Sequence, residues 1–197
     1  MTEETDEQLL NRINNGNLVG LNPGRVMLHG PTKRLIDTYY WHSPNKGIVA
    51  GYAPTERDVE GHFGIFRGVD QIEAFALASI VSCCAFLECR KLNCLPDVLK
   101  EKFIPAFISV GQVNFHYYIE LGDRFISIAN IKSYKWRQMV CDGRIYKVPK
   151  DLDLDAYFSD FTEERLLHYD ISKDFKLVAE LFDITGRAIK KEIFKQV

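Results

Sequence analysis

GVDQIEAFALASIVSCCAFLECRK, residues 68–91, contains no Pro and no Gly beyond Gly68, and its apolar residues are nearly continuous. Val69, Ile72, Phe75, Ala76, Ile80, Cys83, Cys84 and Leu87 leave little room for a polar face. A helix on a protein surface shows one apolar stripe; a helix apolar on most faces must be enclosed. Gly68 marks its start, and Asn93 and Pro96 mark its end. The pattern predicts one long helix at the centre of the molecule.

The flanking sequence supplies what encloses it. Upstream, LIDTYYW (35–41) and IVAGYAP (48–54) are β-branched and aromatic, and SPNKG (43–47) between them predicts a hairpin. Downstream, FISVGQVNFHYYI (107–119) alternates, GDRF (122–125) turns, and FISIANIKSYKWRQMVC (125–141) reads as one further long strand. Residues 174–183 and 187–194 predict a closing hairpin across Asp183-Ile184-Thr185-Gly186. Residues 142–170 are acidic, carry Pro149 and lose the alternation, which predicts an insertion or lid with a short helix near 162–169. Residues 1–25 form an N-terminal extension, with Leu9, Leu10 and Ile13 at helical spacing before a Gly-, Asn- and Pro-rich break. Strands that wrap one central helix give an α+β class and a single domain over 1–197.

Composition narrows the function classes. The chain is 46% hydrophobic, and its 13 Phe, 9 Tyr and 2 Trp favour strands and apolar pockets. A net charge of −2 argues against a general nucleic-acid or membrane-surface binder. No uninterrupted run of 18 apolar residues predicts a membrane span. MTEETDEQLL lacks the basic and apolar regions of a signal peptide, so a cytoplasmic location is expected. The five Cys form no CxxC and read as small buried hydrophobes in a reducing compartment, so no metal is expected.

The strongest chemical feature is EGHFGIFRG (60–68), which runs into the helix and on to Glu73. A His in a Gly-rich loop precedes a helix start, and an acid follows in its second turn. Gly61, Gly64 and Gly68 permit close backbone approach, and free N–H groups at a helix N-terminus can polarise a carbonyl. His62 is suited to act as a base near neutral pH, and Glu73, in apolar surroundings, to hold a proton and donate it. A lone His in a loop is more often a surface residue, and a lone Glu in a helix more often faces solvent, so these residues alone leave both readings open. His29, His42, His116 and His168 show no metal spacing, and no GxSxG, P-loop or GxGxxG motif occurs.

Gly61-His62-Phe63, Gly68-Val69 and Gln71-Ile72-Glu73-Ala74 resemble the hotdog-fold 3-hydroxyacyl-[acyl carrier protein] dehydratases. In that family a GHFPGxPVMPG loop leads into a central helix with an acidic residue. Leu28-His29 with Leu35-Ile36-Asp37 is similar to the family's LPHRYPFLLVD segment, and Ile119-Glu120-Leu121-Gly122-Asp123 to its PVxPGD turn. The resemblance spans about residues 26–140 and resumes near 175–194. It implies a hotdog fold, His62 and Glu73 as catalytic residues, and Gly68 as the amide that binds the thioester carbonyl. Phe63, Phe66 and Val69 would touch substrate, with Phe75 and Phe115 helping to set tunnel depth. The loop departs from the family form: it is three residues shorter, lacks its first Pro-Gly, and carries Arg67 at a Pro position.

The resemblance implies dehydration of a 3-hydroxyacyl thioester to a trans-2-enoyl thioester, in fatty-acid-like or polyketide-type secondary metabolism. Acyl carrier protein would be the partner and its phosphopantetheine arm the carrier, with no resident cofactor. Arg124, Lys132, Lys135 and Arg137 are candidates for a basic patch facing that acidic carrier, or equally for solvated strand edges. Sites in the family are shared between subunits, which implies a homodimer, a higher oligomer or a heteromer with another hotdog subunit. The alternatives are an acyl thioesterase, with Glu73 activating water, and a non-catalytic subunit of a heteromeric dehydratase.

Overall fold

In a computed structural model, which describes residues 4–196, the chain opens with α1 (Asp6–Asn15) and α2 (Pro23–Val26). Leu9, Ile13, Val26 and Met27 all enter the main core, so this N-terminal stretch is packed structure. The hairpin follows as β1 (Thr38–Ser43) and β2 (Gly47–Tyr52), with Thr38 opposite Gly51 and Ser43 opposite Gly47. It lies a little further along than expected at its first strand, because Asn45 takes a positive φ of 61° and sets the turn at 44–46.

After α3 (Glu56–Val59) and the two-residue β3 (Ile65–Phe66), the central helix runs from Gly68 to Leu92. It has three parts: α4 (Gly68–Ala76), a π-helical segment (Leu77–Ser82) and α5 (Cys83–Leu92). In the widened segment Ser82 Oγ donates to the Leu77 carbonyl five residues back (2.8 Å), and Ser79 Oγ donates to Phe75 (2.7 Å). The helix ends at Asn93, which is left-handed (φ 48°). It is long and apolar enough to suit a membrane span, but 83% of its most apolar 18-residue stretch is buried inside the protein. It is a core helix, as its sequence predicts.

The rest of the sheet comes after α6 (Pro96–Lys102): β4 (Phe103–Ser109), β5 (Gln112–Phe115), β6 (Ile119–Glu120), β7 (Arg124–Lys135), β8 (Gln138–Val148) and β9 (Lys176–Lys190). The main sheet has the order β1-β2-β7-β8-β9-β4, antiparallel throughout, with β5 also on β9; β3 and β6 pair separately. Two expected strands are resolved differently. Residues 125–141 turn back at Trp136 and Arg137, both at positive φ (52° and 61°), and so form the β7–β8 hairpin. The closing hairpin is instead the single strand β9, which continues through 183–186 with an irregularity at Asp183 (φ 53°). The break is on its partner side, where β5 pairs with Ala179–Phe182 and β4 with Thr185–Lys190.

The bounds of the expected insertion or lid are corrected too. Residues 142–148 belong to β8, so the interruption before β9 runs over 149–175, with α7 (Leu154–Phe158) and the expected short helix as α8 (Glu163–His168). Leu154, Phe158, Phe161 and Leu166 pack on Val49, Ile126 and Ile128 in a second core, on the sheet face turned away from the central helix. Helical spacing of apolar residues in an acidic stretch gives a cover for the back of the sheet, not a lid over a site.

His42 ties the N-terminal segment to the hairpin. It is buried, its Nδ1 accepts from Leu18 N–H at 3.2 Å, and its ring meets Phe86 edge-on at 4.9 Å. Desolvation holds its pKa down at about 3. The unfolded chain would take up this proton near pH 6.5, so stability is complete above that pH and falls as the pH drops toward 3. A loss of a few kcal/mol from this residue is expected across that window. Denaturant unfolding at stepped pH should show it as a steeper acid slope in wild type than in His42→Gln.

Candidate active site

Four residues at the tip of the loop before the helix define its shape. Gly61, Phe63 and Gly64 all have positive φ (70°, 55° and 77°). His62 N–H donates to Val59 O at 3.0 Å, and Ile65 N–H to His62 O at 2.9 Å. This tight turn leaves His62 exposed and Phe63 wholly exposed. A left-handed Phe with no contact on its side chain is costly in an isolated chain, and such outliers cluster where a partner or ligand is engaged. Arg67, at the family's Pro position, grips Asp70 with two hydrogen bonds (2.5 and 2.8 Å) and so anchors the helix start by side chain rather than by ring.

Glu73 lies one turn further on and is half-buried. It lines a groove of about 400 Å³, partly open to solvent, with His29, Ala76, Leu77, Ile80, Pro105, Ala106, Phe107 and Gly186. The groove runs between the central helix and β4. Its walls are small or apolar, and Gly186 is required there: a Cβ would come within 2.6 Å of Ile80 Cγ2. His29 stands at the same lip as Glu73. Desolvation lowers its pKa and the Glu73 charge raises it, with desolvation the larger, so the imidazole is neutral at pH 7. Its Nδ1 is buried with no hydrogen-bond partner among the described residues.

The structure thus brings Glu73 to a groove and leaves His62 outside it; His62 lines neither this groove nor the polar pocket formed by Arg57, Asp58, Arg67, Asp70 and Glu73. The other expected contacts also divide. Phe66 is buried in an aromatic cluster with Tyr52 and Phe125 (centroids 6.0 and 5.6 Å) and edges the polar pocket. Val69 is exposed, and Phe75 is fully buried in the core. Phe115 covers Gly68, where a Cβ would lie 2.8 Å from its ring, so the helix N-terminus sits behind an aromatic cap. The basic residues do not form one patch. Arg124 lies at the opposite end of β7 from Lys135, bonded to the Lys150 carbonyl, and Lys132 is neutralised by Asp142 and Asp183.

His29, Pro105, Phe107 and Gly186 are the site residues that local patterns do not reveal. Only the Leu28-His29 likeness to the family segment pointed toward the first. Among the described residues no group of three or more His, Cys, Asp or Glu is placed to share a metal ion.

No family model matches the sequence, and no curated protein does. The structure is similar to that of the dehydratase heterocomplex ApeI:P from Xenorhabdus doucetiae, at 11% identity and a TM-score of 0.61, covering 89% of this chain and 96% of that one. It is more distantly similar to the thioesterase HI1161 from Haemophilus influenzae, at 12% identity and a TM-score of 0.46, covering 96% and 93% of the two chains. The first likeness, with the sheet-wrapped helix, defines the chain as a hotdog fold.

Proposed function

We propose that this chain is an enzyme of acyl-thioester chemistry, and that it removes water from a 3-hydroxyacyl group to give a trans-2-enoyl thioester. The observation that carries this reading is Glu73, a single carboxylate at the mouth of an apolar groove along the central helix. Elimination needs a base at C2 and an acid at the departing hydroxyl. Glu73 serves as the acid. His62 serves as the base, but from a second subunit, because its own chain turns it outward.

The sheet edge supports that assembly. β4 ends the sheet, its outer side is unpaired, and it exposes Phe107 and Ile108 beside the groove. An apolar unpaired edge invites another strand. A second copy, or a different hotdog subunit, pairing there would wall the groove and bring its own exposed His62 loop. The substrate would arrive on the phosphopantetheine arm of acyl carrier protein, in fatty-acid-like or polyketide-type biosynthesis.

A thioesterase is the second reading. It is favoured by one observation: His29 and Glu73 share a lip within one chain, a pairing that can activate water without a second subunit. The test is a panel of 3-hydroxyacyl carrier-protein substrates, followed for both enoyl product and free thiol. Enoyl formation that drops about 10²–10⁴-fold in His62→Ala supports the dehydratase. Thiol release that survives His62→Ala and is lost in His29→Ala selects the thioesterase. No turnover with any substrate, alone or with a second hotdog subunit, overturns both.

A further inference from the structure

A second cavity continues the groove. It is lined by Ile80, Val81 and Pro105, which also line the first, and then by Cys84, Leu99, Phe103 and, at its far end, Glu88. Glu73, Leu77, Ile80, Val81, Cys84 and Glu88 therefore share one side of the central helix. Two carboxylates bracket an apolar stripe about 20 Å long, at 1.5 Å of rise per residue. The first is at the open mouth. The second is 4% exposed and sits among side chains that are otherwise almost all apolar.

A methyl-ended chain has no use for a carboxylate at the bottom of its channel. Burying one is costly unless its oxygens are satisfied. Glu88 Oε1 accepts from Tyr134 Oη at 2.5 Å, and this is the side chain's one hydrogen bond among the described residues. Tyr134 stays protonated, because burial and the bond to Glu88 both push it far above the ordinary phenol range. Its proton is committed to Oε1. A carboxylate accepts at both oxygens, so Oε2 keeps its capacity for a further donor. Arg187 lines the same cavity but is itself exposed, and forms no ion pair with Glu88 among the described residues.

We propose that Glu88 selects acyl chains whose distal end carries a hydroxyl, which donates to its free oxygen while the thioester end lies at Glu73. This rests on the acyl-thioester reading and goes beyond it by naming a specificity residue and the substrate feature it recognises. Glu88, held by Tyr134, would form the floor, and the intervening Ile80, Val81 and Cys84 would hold the methylene chain.

The test is calorimetric binding to the full chain of unreactive acyl-pantetheine amides, paired by length, with a methyl or a hydroxyl at the distal end. Wild type is expected to prefer the hydroxylated ligand by about ten-fold or more at the length that fills the channel. Glu88→Leu should reverse the order, and Glu88→Gln, which keeps an acceptor, should retain part of the preference. Should Glu88→Leu not fold, the wild-type ratio and Glu88→Gln still decide. Equal affinities in wild type, a preference unmoved by Glu88→Leu, or no binding of either ligand overturns the proposal. Turnover without a distal preference sinks this inference alone; a distal preference without turnover sinks only the catalytic reading.

Discussion

Glu73→Gln is expected to lower dehydration of a 3-hydroxyacyl carrier-protein substrate by about 10²–10⁴-fold, the range for losing a positioned acid or base. The amide keeps the shape and hydrogen-bonding capacity of the side chain but cannot deliver a proton. Glu73 is half-buried at a groove edge and makes no side-chain hydrogen bond within the described residues, so its melting temperature should stay near that of wild type. The informative arm is complementation. If the acid comes from one subunit and His62 from another, dimers that join Glu73→Gln to His62→Ala hold one site with both residues intact. Random mixing makes half the dimers mixed, so activity should return to roughly a quarter of wild type. Two inactive variants that stay inactive after unfolding and refolding together, with mixed dimers verified by mass, would show that His62 and Glu73 do not act on one substrate.

What could be read in the sequence followed from how locally each feature is encoded. The central helix was legible because its enclosure is written into consecutive residues, and the β1–β2 hairpin because its turn residues are adjacent. The π-helical segment was not, although Ser79 and Ser82 are its local trace: two hydroxyls in an apolar helix, each taking up a backbone carbonyl that the widened turn rearranges. The β7–β8 hairpin escaped because Trp136-Arg137 is a poor turn sequence; the positive φ values there are imposed by long strands pairing on either side. Of the site, Glu73 was legible from the resemblance. The groove was not, since Pro105 and Gly186 join it only through the pairing of β4 with β9. A side chain's partners across a sheet edge are a property of topology, which no short window contains.

Phe75→Ala is expected to be the most damaging single core change, and it separates stability from chemistry. Phe75 is fully buried where the central helix meets β8, and its ring lies against Gly143. A Cβ on residue 143 would stand 2.3 Å from the ring and 2.3 Å from the Ile128 carbonyl oxygen. Removing the ring leaves a cavity between two rigid elements, at a cost of about 3–5 kcal/mol. For a chain of this size that is a fall of roughly 6–20 °C in melting temperature. Adding Gly143→Ala to Phe75→Ala tests the packing argument further. The methyl would enter vacated space on the ring side but still strike the Ile128 carbonyl, which the β7–β8 ladder holds in place. The double variant should therefore be no more stable than Phe75→Ala. Recovery toward wild type would mean that the ring was the only obstacle and that the strands yield, contrary to a β7–β8 ladder that holds the Ile128 carbonyl in place. Phe75 lines neither the groove nor its continuation, so below its melting point Phe75→Ala should retain far more turnover than Glu73→Gln. The helix is held by Phe75 on one side and lines the groove with Glu73 on the other, so a change on either side should leave the other intact.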